Sequence, residues 1–342
     1  MPAHTLTQRQ SLEKKPSVSV STQKQYNLPV VLLENDLLRL EIFPTLGAKI
    51  YRLIHKPTDT NLLWNNSHIE PREVPLGSNY DDNFSGGWDE LFPNDAPGMV
   101  EGKNLPDHGE LWAQPWDVEI HRERSSATIH LTCLGTVTTT HMEKWVTLKA
   151  GSNVIHFRHK LTNLGAHPLK FLWKLHPAMA ISPDHRIDVP GTTVEPVHPD
   201  WSRIAGAGPH PWPLAPSREG SSLDLRRIPP AQDGTKEFVY VRGLKEGWCA
   251  ITDTRKKLGF GLVFPKEVFT SVWLFMTFGG WRGHYTAILE PCTAYPKDLN
   301  TAIRTGNCGR LASGRSLEVE VKAVVYEGKT QVRHIDSSGK VS

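Results

Sequence analysis

Glu290 closes the apolar pair Ile288-Leu289 and is followed directly by Pro291 and Cys292. Upstream, residues 273–285 carry Trp273, Phe275, Phe278, Trp281 and Tyr285 among glycines, enough for a flat, partly apolar wall. A carboxylate held against aromatic rings suits a site that binds a sugar and moves its protons. Proton transfer needs a partner, and three histidines offer one. His176 ends an apolar run and precedes Pro177, His108 sits in DHGELW at 107–112, and His284 lies between Gly283 and Tyr285. In a strand, alternate residues share a face, so Leu172, Lys174 and His176 point one way and Phe171, Trp173 and Leu175 the other. The same rule groups His284, Thr286, Ile288 and Glu290.

A further cluster, GGWDELFPND at 86–95, sets Trp88, Asp89 and Glu90 behind two glycines that permit a sharp turn. Glu110 and Trp112 follow His108 closely, and Arg282 follows Trp281. Each of these residues also has a structural use. Asp89 and Glu90 can cap turn amides, Lys174 can snorkel at a strand end, and aromatics most often fill cores. His108 with Glu110 and His176 would supply zinc donors, but their spacing matches no local metal motif, so no metal is assigned. No G-x-S-x-G elbow is present for serine nucleophile chemistry.

Short runs of period near two must position these groups: 29–33, 37–43, 49–55, 61–64, 116–121, 127–134, 142–148, 153–162, 169–176, 238–242, 248–253, 259–264, 271–278, 285–289 and 316–326. They favour Val, Ile, Thr and aromatics and are separated by Gly, Pro, Asn and Asp. Only 298–305 reads as a helix. The pattern predicts an all-β chain built as a large antiparallel β-sandwich. Residues 1–26 read as a flexible N-terminal tail, 27–330 as one domain and 331–342 as a C-terminal tail. The Pro-, Gly- and Ser-rich stretch 184–235 contains Trp201 and Trp212, which argues for an ordered loop excursion over one edge.

The chain has 342 residues, 38% of them hydrophobic, and a net charge of +3. No run reaches the length of about 20 apolar residues that spans a bilayer. The polar N-terminus lacks a secretory h-region, so a cytoplasmic protein is expected. Scattered basic residues argue against nucleic acid as a partner. The four cysteines, Cys133, Cys249, Cys292 and Cys308, form no C-x-x-C pair and read as reduced buried thiols. Cys292 is close enough in sequence to share the Glu290 pocket.

Taken in order, GGWDELFPN (86–94), DHGELW (107–112), FLWKLHP (171–177) and LEPCTAYP (289–296) resemble the aldose 1-epimerase (galactose mutarotase-like) superfamily over about residues 28–327. The resemblance implies a supersandwich whose concave face binds a sugar, an isomerase activity and no cofactor. It assigns the general base to Glu290 and the general acid to His176, with His108 binding near the ring oxygen. Trp88, Asp89, Glu110, Trp112, Lys174, Trp281 and Arg282 are then substrate-binding candidates. The chain reads as a divergent branch. An arginine expected upstream of the first histidine is absent, and Lys174 precedes the acid histidine by two residues. Lys174 or Arg282 could pair with a carboxylate, sulfate or phosphate on a modified sugar. Two alternatives use the same scaffold: a carbohydrate-binding protein without catalysis, and an epimerase or lyase acting at a carbon next to a carbonyl.

Overall fold

The computed structural model describes residues 16–342. The alternating runs form antiparallel strands in two main sheets. The larger has twelve strands. Its spatial order is Val18–Gln25, Leu28–Asn35, Leu38–Phe43, Lys49–His55, Trp88–Leu91, Lys174–Ala180, Tyr285–Cys292, Ser271–Phe278, Thr235–Arg242, Thr193–Pro196 and His210–Pro211, with Thr60–Asn61 pairing off Lys49–His55. The smaller has eight strands, in the order His185–Asp188, Trp248–Asp253, Leu258–Val263, Ser316–Glu327, Val154–Asn163, Thr140–Lys149, Ser126–Gly135 and Asp117–Arg122.

Period-two patterning decides which faces meet. Along Ser126–Gly135 burial alternates almost residue by residue, so Ile129 and Leu131 point inward and the hydroxyl and imidazole groups outward. These side chains meet Leu33, Leu40, Ile42 and Leu53 of the larger sheet in one core between the layers. The strands Lys174–Ala180 and Tyr285–Cys292 are instead buried on both faces. Loops cover the second face of the large sheet there, and a cleft opens among them.

Several elements differ from the sequence reading. Residues 18–25, assigned to the flexible tail, form a strand paired from Val18 with Asn35 to Gln25 with Leu28. Residues 1–15 lie outside the described part. The C-terminal residues fold back: Val332 and Ile335 pack against Trp248 and Tyr326, and the Val332 N–H donates to Asp188 Oδ2 at 2.9 Å. The stretch 184–235 supplies short strands to both sheets, and its Trp212 donates from Nε1 to the Val189 carbonyl at 2.9 Å. The run 169–176 breaks in two, with Leu169–Phe171 pairing Gly309–Leu311 before Lys174–Ala180 enters the large sheet. The helix is Leu299–Arg304, capped by Asp298 Oδ1 accepting from the Thr301 amide at 2.8 Å.

The largest change concerns 88–91, read as a turn and observed as a strand. Alternation then sends Trp88 and Glu90 into the space between the sheets and Asp89 and Leu91 to the opposite face. Trp88 packs on Phe157 and Phe260. Glu90 Oε1 lies 2.9 Å from Lys144 Nζ and 3.0 Å from His159 Nε2, a buried ionic triad. Burial opposes the charge on Glu90, but His159 and Lys144 outweigh it and hold the carboxyl well below the usual range.

Candidate active site in the outer cleft of the large sheet

Two central strands supply the cleft's floor: Lys174 and His176 from one, Ile288 and Glu290 from its neighbour. Loops add Tyr80, Phe84, Asp95 and His108 on one flank, and Phe275 and Trp281 contribute an aromatic wall. The cleft has a volume of about 290 Å³, at the small end for ligand sites. His108 reaches it because Gly109 lets the chain pass tightly: a Cβ at Gly109 would lie 2.0 Å from the Phe92 carbonyl oxygen. The glycine takes φ +78 and the histidine φ 57, both left-handed.

Glu290 Oε1 lies 3.9 Å from His176 Nε2, with both side chains almost wholly buried. The other carboxylate oxygen, Oε2, lies 2.8 Å from Lys174 Nζ. That approach is off the hydrogen-bond axis, so the contact is an ion pair and Oε2 keeps an unfilled acceptor site. Lys174 also donates to Asp95 Oδ1. Burial alone would discharge Lys174, but Asp95 and Glu290 outweigh it and hold the ammonium above its ordinary range. Burial raises Glu290 to about 7, an effect Lys174 only partly offsets. His176 is driven well below its ordinary value, first by burial and then by Lys174, His108 and Lys49.

Burial opposes a charge on His176, and Lys174 adds to this because it neutralises Glu290 and repels a second cation nearby. His176 is therefore a neutral imidazole.

Its tautomer follows from the groups behind it. Asp89 Oδ2 accepts from Lys49 Nζ at 2.8 Å and from the Tyr80 hydroxyl at 2.7 Å. Tyr80 has spent its only proton on Asp89, so its oxygen accepts from His176 Nδ1–H at 3.2 Å. Nε2 is left as a lone pair facing Glu290. Burial and Asp89 keep the Tyr80 phenol protonated by raising it well above its ordinary value. Tyr80 also stacks on His108, ring centres 4.3 Å apart, and His108 donates from Nδ1 to Asp107 Oδ1 at 2.8 Å.

The other sequence candidates separate clearly. Lys174, His176, Glu290, His108 and Trp281 line the cleft together. Lys174 is consumed by two carboxylates and is not free for a substrate anion. Trp88 lies in the core between the sheets. Asp89 stands behind Tyr80 and does not line the cleft. Glu110 is turned away, accepting from the amides of Val137 and Thr138 and from the Thr138 hydroxyl. Trp112 lies edge-on beneath Tyr80 and donates to the Asp107 carbonyl at 3.0 Å. Arg282 pairs with Asp82 at 2.7 Å, off the cleft lining. His284 packs between Trp64 and Trp281. Cys292 is buried beside Trp273, behind the cleft wall. Sequence reading missed Tyr80 and assigned no site role to Asp95, although it ends the 86–95 cluster.

Glu110 faces Thr138, so His108, Glu110 and His176 form no metal set. Glu119, His121 and His130 bring potential ligand atoms within 4.8 Å of one another, on the exposed edge of the smaller sheet. No helix among the described residues is long and apolar enough to cross a membrane.

No family model and no curated protein matches the sequence. Solved structures do. A candidate aldose 1-epimerase from Klebsiella pneumoniae aligns at 14% identity over 91% of this chain and 84% of its own, with a TM-score of 0.73. A candidate aldose 1-epimerase from Escherichia coli aligns at 16% identity over 91% and 100%, with a TM-score of 0.61. A galactose mutarotase-like protein from Lactobacillus casei aligns at 14% identity over 87% and 100%, with a TM-score of 0.60. The chain thus has the galactose mutarotase-like β-sandwich fold.

Proposed function

We propose that the protein is an aldose 1-epimerase-like isomerase, interconverting the α and β anomers of a sugar in the cleft around Glu290 and His176. The observation that carries this reading is the facing pair of proton carriers, Glu290 Oε1 and His176 Nε2 at 3.9 Å, in one buried-walled cleft. Ring opening removes a proton from the anomeric hydroxyl and delivers one to the ring oxygen. Rotation about C1–C2 and closure then reverse both transfers. A pair that holds one proton between its members suffices for this cycle, and no cofactor enters it.

With that proton on His176, Glu290 takes the hydroxyl proton while Nε2 protonates the ring oxygen. The pair then stands as carboxylic acid and neutral imidazole, the form that burial and Lys174 favour. Closure uses Glu290 as the acid and Nε2 as the base. Each well-placed acid or base contributes about 10²- to 10⁴-fold. Phe275 and Trp281 supply apolar surface against which a ring can lie.

The test is anomer exchange measured by NMR over a panel of neutral and acidic sugars. Enzyme-dependent exchange should vanish in Glu290→Gln and His176→Ala while both variants stay folded. Wild-type exchange in either variant would refute the assignment, and binding without exchange by the parent protein would leave a carbohydrate-binding role.

A further inference from the structure

We propose that the cleft takes a sugar bearing an anionic substituent, a carboxylate or phosphate distant from the anomeric carbon, and that Lys236 and Lys297 bind it. The proposal rests on the reading of Glu290 and His176 as the reacting end.

The sheet register lays out three rows across adjacent strands. Glu290, Trp273 and Tyr240 form one; Ile288, Phe275 and Phe238 form the next; Thr286, Thr277 and Lys236 form the third. The middle row is wholly apolar, and its three residues all line the cleft. Lys236 stands two strands and four residues from Glu290, roughly 10 Å across and 13 Å along the sheet. A ring lying on the middle row therefore has Glu290 toward one end and the Lys236 arm toward the other.

Lys297 reaches the same region by another route. Its amide donates to the Tyr240 hydroxyl at 2.9 Å, which fixes the segment above the first row. Its Nζ lies 2.9 Å from His198 Nε2. The ring of His198 stacks on Trp201, centres 5.1 Å apart, and Lys236 Nζ lies 4.5 Å from the centre of the same indole. All four residues line the cleft.

Charge accounting separates these lysines from the third cation of the lining. Lys174 is matched by Asp95 and Glu290. Among the described residues, neither Lys236 nor Lys297 forms an ion pair with a carboxylate. Asp95, already held by Lys174, also acts on Lys297 and His198 from beyond ion-pair distance; the remaining acid of the lining, Asp81, lies beside Arg282 and His108, and Asp200 near His198 is exposed. Burial and the two ammonium groups disfavour a charge on His198. One half-buried cation lies over the Trp201 indole and the other on the imidazole stacked against it; the two repel each other, and an anion between them relieves that repulsion.

Calorimetry on the full chain with D-glucose 6-phosphate, D-glucuronate, D-glucose and inorganic phosphate tests the proposal. One or both anionic sugars should bind at least about 10-fold more tightly than glucose, and added salt should weaken them selectively. The better of the two identifies the anion, and inorganic phosphate alone should bind more weakly than the sugar that carries it. Lys236→Met and Lys297→Met should each weaken the anionic sugar about 10- to 100-fold and leave glucose unchanged. Lys297→Arg should retain most of the binding and controls for a packing effect. Equal affinity for anionic and neutral sugars, or indifference to both methionine variants, overturns the proposal. Lysine-dependent binding without anomer exchange would keep the subsite and remove the isomerase. Lysine-independent exchange of glucose would do the opposite.

Discussion

Lys174 Nζ stands 2.8 Å from Glu290 Oε2, inside a cleft wall that leaves both side chains almost no solvent contact. The contact does more than hold a carboxylate in place. Without a cation, burial would raise Glu290 further, and a charged Glu290 with no competing cation would draw a proton onto His176. With Lys174 present, Glu290 titrates at about 7 and His176 stays neutral. The pair therefore carries one proton below that pH and none above it.

That protonation state sets the pH dependence of exchange. The reaction needs the single proton, so activity should fall by about tenfold per pH unit as pH rises past about 7. Activity should fall again well below pH 6.5, where His176 is forced to accept a second proton. NMR exchange rates, corrected for the uncatalysed reaction, give the profile directly. A rate that climbs between pH 7 and 9 would mean that ionised Glu290 works without the shared proton.

Replacing Lys174 by methionine should move this profile and weaken the fold. Loss of the cation raises Glu290, so the alkaline limb should shift upward. It also lifts a restraint on His176, so the acidic limb should shift up as well. Asp95 and Glu290 would be left as buried acids sharing a wall, and breaking a buried pair costs about 3–5 kcal/mol. Denaturant titration at neutral pH should show that loss. An unchanged pH profile in a folded Lys174→Met protein would remove Lys174 from control of the pair.

The strand segments were legible because period-two alternation is local. The runs 49–55, 248–253 and 271–278 coincide with strands. The same rule, applied to 171–177, places Lys174 and His176 on the cleft side and Trp173 in the core. At 88–91 the two preceding glycines, Gly86 and Gly87, and the two acids resemble a turn and mask the alternation. Read as a strand, that segment sends Trp88 and Glu90 inward. Contacts between distant segments had no local signature. Asp95 meets Lys174 across 79 positions and Tyr80 meets His176 across 96. Lysines 236 and 297 converge only through the pairing of three strands and the loop around Trp201. Lys174, read as a ligand for an anionic sugar, has its anions supplied by the protein.

Tyr80→Phe tests the groups behind the imidazole. The phenylalanine keeps the stack on His108 and removes the hydroxyl between Asp89 and His176 Nδ1. Both tautomers of His176 then become available, and Nε2 can carry the proton that blocks it as a base. Exchange should fall about 10-fold in kcat, comparable with one buried hydrogen bond, while KM changes little. A change confined to KM would instead make Tyr80 a substrate contact.

The interior triad offers a prediction about stability with little consequence for the cleft. Glu90, Lys144 and His159 lie between the sheets, on the opposite side of the Trp88–Leu91 strand from Asp89. Glu90→Gln leaves Lys144 buried without its carboxylate, and the expected loss is about 3–5 kcal/mol in denaturant titration. The sign with pH is definite. The carboxyl is depressed in the folded protein, so its stabilisation is complete above its unfolded value of about 4.3 and fades as pH falls below it. Wild type should therefore lose stability on acidification more steeply than Glu90→Gln, and the two curves should converge at low pH. The folded variant should retain the wild-type exchange rate, because Glu90 points away from the face that carries Lys174, His176 and Glu290. Parallel curves for the two proteins from pH 7 down to pH 3 would mean that the triad contributes no net charge stabilisation.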